Sequence, residues 1–573
     1  MQTQRMILWI VFSMSLLFLW DAWQKHNGQP SMFGGAPATQ QAGAGSGEGK
    51  DGAPADASIP PAPTAAVPAP GAAAPAGDAP AGSAASATQP IRLANDVLAL
   101  EIDPVGGVVR RAELLRHRDL IAKDGSRFVL LKNEGGSVYV AQSGLIGGPE
   151  GAAFPTHRTP MVPADGEKGA RELGGSADAV SLTLVGESGG LKLTRTYTLK
   201  RGAYVIDVKD VVTNLSGEPV QPTLYMQLTR DGDSPAGGSK FYSTYTGPVI
   251  YTDADKFQKV AFGDIEKNKA KHSTTATDGW AGIIEHYFVS AWIPAEKVTR
   301  EFYTRKVGDN LYSVGIKQPL AQIAPGASTT VESRLLAGPQ DQTMLEETAP
   351  GLDLAVDYGW LTVIAKPIHW LLQFLHGIVG NWGWAIVLLT IVIKTIFFPL
   401  QAASYRSMAR MKAVTPRLTQ IRERYGNDRV KMNQAMMELY KTEKINPLGG
   451  CLPIVVQIPV FIALYWVLLA SVEMRDAPWI GWIKDLSNPD PFYILPLIMA
   501  GTMFIQVKLN PTPPDPMQAK MMTIMPLVFS VMFFFFPAGL VLYWLVNNIY
   551  SIIQQWLITR KINDQMAAKK LKG

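Results

Sequence analysis

The sequence predicts two folds in one chain: an α-helical multi-pass membrane bundle of six spans with a five-helix C-terminal core, preceded by an all-β domain of the β-sandwich kind. Three observations carry this. The stretch NWGWAIVLLTIVIKTIFFPL, residues 381–400, is almost unbroken apolar sequence, and about 20 such residues at ~1.5 Å rise span a ~30 Å hydrocarbon layer. Between residues 91 and 339 the pattern is instead short alternating runs punctuated by glycine, the period-2 signature of half-buried strands. Lys and Arg gather in alternate inter-helix segments, which assigns those segments to the cytoplasm and orients every span.

Taken in order, residues 1–24 hold the apolar run MILWIVFSMSLLFLW after Arg5, with DAWQKHNGQ following it rather than a small-x-small cleavage site. This reads as an uncleaved anchor with its N-terminus inside. Residues 25–90 are dominated by Ala, Pro and Gly and cannot bury enough apolar surface to offset chain entropy, so a disordered linker is expected. In LKLTRTYTL, Leu191, Leu193, Tyr197 and Leu199 share one face, and Lys192, Thr194, Thr196 and Thr198 the other. YVIDVKDVV repeats the pattern with Tyr204, Ile206, Val208 and Val212, and residues 186–190 predict a longer-loop hairpin between VSLTLV and LKLTRTYTL. Residues 91–339 therefore form the β-sandwich, on the outer side of the membrane.

Residues 340–380 form a connector. Its tract after Pro367 places Ile368, Leu371, Leu372 and Leu375 on one stripe, an amphipathic helix lying in the interface, with Pro367 in its first turn. A single span at 381–402 then leads inside, because residues 403–446 carry ten Lys or Arg against four acids. That loop reads as a helical hairpin turning at residues 426–428, rich in Met408, Met411, Met432, Met436 and Met437. Methionine offers an adaptable apolar surface to varied partners, though a hairpin packed on its own methionines fits the spacing equally. Residues 447–558 hold four more spans, and the tail 559–573 is basic and inside.

Several chemistries are excluded. The single cysteine, Cys451, forbids an intramolecular disulfide and thiolate clusters, and the seven histidines form no metal-binding spacing. No glycine-rich nucleotide loop is present. Asp278, Glu285 and His286 can be drawn as an acid/base cluster, but isolated polar residues on strands are usually structural. No catalytic residue, metal or cofactor is expected.

The unusual residue is Lys394, a cation inside the 381–400 span. On insertion scales it costs roughly 2.5–3.5 kcal/mol near the centre of a span, and such residues face a bundle interior or a wet cavity. It lies about 9–14 Å from the basic end of the helix by the rise, more than a lysine stem covers by snorkelling. In the last span Tyr543, Asn547, Ser551, Gln554 and Gln555 make a polar stripe. Thr390, Gln457 and Gln506 add polar groups on other spans. Interhelical hydrogen bonding alone explains many such residues; together with Lys394 they predict a hydrophilic groove.

The segments IVLLTIVIKTIFFPL, NPLGGCLPIVVQIPVFIALYWVL, DPMQAKMMTIMP and FPAGLVLYWLVNN, in this order, resemble the YidC family of membrane-protein insertases. The anchor, linker and large β-domain are similar to its Gram-negative branch. The resemblance implies an inner-membrane protein with a periplasmic domain and cytoplasmic termini, which inserts and helps fold nascent membrane proteins. It implies the Sec translocon, the ribosome and membrane lipids as partners, with no sequence-specific nucleic-acid binding. The family usually has arginine where this chain has Lys394, and Trp544 stands where a tyrosine implicated in substrate contact is common. Two rivals remain at this level: a small-solute or ion transporter using Lys394 as substrate or proton site, and an anchored carbohydrate-binding module.

Overall fold

The computed structural model describes residues 89–119, 122, 125–148, 153–235, 244–425, 428–443, 452–510 and 516–570. The anchor, all but the last two residues of the linker, the hairpin turn at 426–427 and residues 447–451 lie outside them. The chain divides into two compact units after Val356.

In the first unit the described strands form two sheets, one of ten and one of nine strands. The ten-stranded sheet is built about Thr223–Asp231, which pairs antiparallel with Ser137–Ile146 on one side and Leu311–Pro319 on the other. Hydrogen bonds cross between the sheets: the Trp292 indole donates to the Gln227 carbonyl at 3.1 Å, and Arg230 Nε donates to Glu285 at 2.7 Å. This is a sandwich with polar bolts through an apolar core.

The alternation in Leu191–Lys200 is realised residue by residue, every odd position from Leu191 to Leu199 being buried. One of those positions is Arg195, fully buried, and it meets Asp210 on the neighbouring strand Val205–Asn214 through Nε at 2.7 Å and Nη2 at 3.1 Å. Its Nη1 donates to the carbonyls of Ser143 and Gly106. The hairpin before it is tighter than predicted. Ser188 pairs with Leu191, leaving Gly189 and Gly190 as a two-residue turn at φ +57° and +77°, a left-handed pair that matches strand twist and that glycine adopts without strain. Two short helices, α1 (Phe262–Glu266) and α2 (Gln342–Thr348), complete this unit, so the first part of the predicted connector belongs to the β-unit.

The second unit is helical: α3 (Thr362–Val379), α4 (Trp382–Ile396), α5 (Phe398–Tyr425), α6 (Arg429–Thr442), α7 (Leu452–Ala470), α8 (Ile494–Leu509), α9 (Pro516–Met532) and α10 (Ala538–Lys570). Pro367 lies inside α3, which begins five residues earlier than the proline suggested. One face of α3 buries Ala365, Ile368, His369, Leu372 and Leu375, while Val363, Trp370, Phe374 and Ile378 stay exposed. Beneath the buried face, His369 Nε2 and Gln373 Nε2 reach Glu473 at 3.3 and 3.4 Å. Gly380, left-handed at φ 65°, ends α3, and the Asn381 side chain caps α4 by accepting from the Trp384 N–H at 3.1 Å.

The described helices do not by themselves establish six spans. Among the described residues no single helix is long and apolar enough to cross a membrane; α4 with the start of α5 passes that test only as a pair bent by 66°. The predicted span at 381–402 is thus two helices that meet at Phe397. The cause is local: Pro399 has no N–H to continue the helical ladder, but is tolerated in the first turn of a new helix.

The α4 terminus is also fixed from outside. Asn381 Nδ2 donates to the carbonyl of Pro478 at 3.0 Å, and Gly383 lies so close to Trp479 that a Cβ built on it would sit 2.2 Å from the indole. Gly383→Ala is therefore expected to cost about 1–3 kcal/mol by overpacking, seen as a lowered Tm of the detergent-solubilised protein. An unchanged Tm would show that Trp479 moves aside freely.

Candidate functional site

The α4–α5 break turns two helices around α10, which packs against both. Lys394, on the last turn of α4, is 3% exposed, and its ammonium donates to Ser551 Oγ on α10 at 2.9 Å. Ser551 Oγ in turn donates to the Asn547 carbonyl at 2.7 Å, and Tyr405 is buried on the facing α5. One hydroxyl has one proton and two lone pairs; Ser551 gives its proton to the Asn547 carbonyl and offers a lone pair to the ammonium. Lys394 has three protons to donate, and Ser551 takes one. Among the described residues no carboxylate pairs with it.

The lysine is thus turned into the bundle rather than snorkelling, and in this structure the ammonium is enclosed by protein. Burying a cation without an anion is costly, and the Ser551 bond is what offsets part of that cost. Ser551→Ala should lower stability by about 1–3 kcal/mol, the usual penalty for an orphaned buried donor. Ser551→Thr, which keeps the hydroxyl, should restore most of it; equal Tm values for all three proteins would show that the bond contributes nothing.

The other sequence-predicted residues fall into four groups. Thr390, 1% exposed, donates back to the Ile386 carbonyl at 2.7 Å and so satisfies itself within α4. Gln457 on α7 accepts from Gln401 Nε2 on α5 at 2.8 Å, which links α7 to the bend rather than to Lys394. Gln506 is half-buried on α8 and, among the described residues, makes no hydrogen bond to the Lys394 set. Tyr543 is buried and Trp544 half-buried; Trp544 stacks on Phe461 at 5.0 Å and meets Phe533 edge-on at 4.1 Å. These aromatics lie about two turns of α10 away from Ser551, roughly 10 Å by the helical rise.

In the hairpin, Met411 and Met436 pack against the buried Val414 and Leu418, forming its internal core. Met408 and Met432 are half-buried, and Met437 is exposed. The methionines therefore divide between holding the hairpin closed and offering surface. The acid/base cluster in the β-unit is not assembled: Glu285 is held by Arg230, Asp278 accepts from the Asp253 N–H at 3.0 Å, and His286 stacks on Tyr287.

Sequence reading missed Gln401, Ser404 and Tyr405, all buried polar residues on the first turns of α5. A signal was available, since Gln401 and Tyr405 stand seven and eleven residues after Lys394, the spacing of one helical face. By sequence alone Gln401 falls at the end of the 381–402 span, and Ser404 and Tyr405 fall at the start of the basic segment 403–446.

Two family models match this chain, one described as the YidC periplasmic domain over residues 90–371 and one as the 60Kd inner membrane protein over residues 374–565. Similar curated proteins include the membrane protein insertase YidC of Cupriavidus taiwanensis, 56% identical over 568 residues, and that of Bordetella pertussis, 56% identical over 572 residues, each comparison covering 99% of both chains. Among solved structures, an active YidC insertase with its first transmembrane domain resolved is 18% identical, at a TM-score of 0.37, over 82% of this chain and 94% of that one. Family models that together span most of the sequence, and relatives at more than half identity from end to end, show that the chain belongs to the YidC family of membrane protein insertases.

Proposed function

We propose that this chain inserts nascent proteins into the bacterial inner membrane through the Lys394 site, without covalent chemistry. The observation that carries the reading is the enclosed ammonium that rests on a serine rather than on an acid. A cation paired to a carboxylate would have little to gain from a visitor; one bonded only to a neutral hydroxyl can exchange it for a charge-assisted bond to an acidic residue. In this reading, a segment entering between α4, α5 and α10 parts the polar groups that now satisfy one another. Lys394 holds acids of its translocated tail, while Tyr405, Asn547 and Ser551 replace part of the tail's hydration. Release is driven by burial of a hydrophobic helix in lipid, at about 0.8 kcal/mol per CH₂.

The surrounding architecture supports the same picture. The basic segments at 403–446 and 559–573 favour a cytoplasmic hairpin and cytoplasmic termini, and hence six spans and a periplasmic β-domain. The exposed apolar face of α3, with Trp370 stacked on Phe374 at 5.8 Å, suits the outer membrane–water interface, where aromatic residues concentrate. Met437 and the basic hairpin would receive substrate, and the ribosome, the Sec translocon and lipids are the partners this layout suits.

Photocrosslinkers placed at residues 394 and 547 of the full-length protein test the route. Ribosome-bound chains of a single-span substrate should crosslink at both positions while their tail is in transit. Crosslinks at neither, with insertion intact, would move the path elsewhere.

A further inference from the structure

One buried polar residue of α10 takes part in none of these contacts. Gln554 is 4% exposed, and among the described residues neither its Nε2 nor its Oε1 has a hydrogen-bond partner. It stands three residues after Ser551, on the same helical face, one turn farther toward the C-terminal end of α10. Its neighbour Gln555 faces another way and donates to the Asn510 side chain on α8 at 3.1 Å. An unpaired primary amide inside a protein is unfavourable, and an apolar side chain of the same shape is more stable in such a place. A pair of unmet groups, one donor and one acceptor on one side chain, matches a ligand offering the complementary pair.

We propose that Gln554 binds the main chain of the segment in transit, one turn beyond the Lys394 site. An extended polypeptide offers the matching groups, because the N–H and C=O of a single residue project to the same side, as in the hydrogen-bonded pairs of an antiparallel ladder. The Gln554 amide can donate to that carbonyl and accept from that N–H together. A finished helix offers neither, its main-chain groups being engaged internally. The amide therefore holds an unfolded tail and lets go of a formed span, and it does so whatever the tail's sequence. This rests on the Lys394 reading for the location of the path, but the two residues read different things: Lys394 reads charge and Gln554 reads backbone.

That difference sets the experiment. Full-length protein in proteoliposomes is given two single-span substrates that differ only in the tail, one with Asp residues and one with Asn in their place. Gln554→Leu and the nearly isosteric Gln554→Met should lower insertion of both substrates alike, by about 3- to 10-fold, the net equivalent of one hydrogen bond. The same variants should melt at the wild-type temperature or about 2–4 °C higher, since an unmet polar group has been removed. Lys394→Ala should instead depress the Asp-tailed substrate more steeply than the Asn-tailed one. The Gln554 proposal is overturned if both apolar variants insert both substrates at the wild-type rate, as a buried water on the amide would give. It is overturned equally if they impair only the Asp-tailed substrate, or if both lower Tm, which would make the amide structural. Loss of the charge dependence at Lys394 with the Gln554 effect intact would count against the Lys394 reading alone.

Discussion

Asp210→Ala is expected to cost about 3–5 kcal/mol of stability in the β-unit, the largest effect of any single substitution considered, because it strands the Arg195 guanidinium inside the sandwich. Arg195 is fully buried, and Asp210 supplies two of its four hydrogen bonds, at 2.7 and 3.1 Å; the other two go to carbonyls of the opposite sheet. With the carboxylate gone, two donors and a full charge remain where water does not reach. The guanidinium cannot escape by losing its proton, since arginine stays charged in proteins. Chemical denaturation of the full chain, followed through the β-unit by tryptophan fluorescence, should show a lower midpoint at unchanged slope. The double variant Arg195→Met with Asp210→Leu removes both charges together and should recover most of the loss, as replacing a buried pair with packed apolar residues often does. If Asp210→Ala alone melts like wild type, Arg195 has another route to solvent.

The second large effect is functional. Lys394→Ala should slow insertion of an acidic-tailed single-span substrate by about 10- to 100-fold, the equivalent of one hydrogen bond to a charged group. Lys394→Glu should be worse, because it replaces attraction with like-charge repulsion and buries a carboxylate against Ser551. Lys394→Arg keeps the charge but spreads it over a planar fork, so it distinguishes two requirements. Near-normal insertion by the arginine variant means that charge suffices; a loss approaching that of alanine means that the compact ammonium and its Ser551 bond set the geometry. Wild-type insertion by all three variants would remove Lys394 from the mechanism.

How much of this was legible in the sequence can be judged from those two residues. Lys394 announced itself, because a cation in an apolar run has few explanations. Arg195 and Asp210 did not. They occupy apolar-face positions of strands whose other members are Leu, Tyr, Ile and Val, so the period-2 reading skipped them as imperfections. Only the antiparallel register that sets Arg195 opposite Asp210 turns two exceptions into one buried pair. The bend at Phe397 was hidden differently: hydropathy carries no record of direction, and a run that is apolar from residue 381 to 400 reads as one rod. Once the rod is broken, residues assigned to a loop, Tyr405 among them, come to lie beside Ser551.

By itself the sequence determined what composition and periodicity can specify: an alternating β-unit, apolar helices, basic segments between some of them, and one lysine in the wrong solvent. Its long matching segments also determined the family. Which groups satisfy one another was decided only by the tertiary structure, because a hydrogen bond depends on separation and angle between side chains as far apart in sequence as Lys394 and Ser551. The same holds for what is left unsatisfied. A glutamine on a polar stripe looks like its neighbours in one dimension, and only packing distinguishes Gln555, whose Nε2 donates to Asn510, from Gln554, whose Nε2 and Oε1 both lack a partner among the described residues.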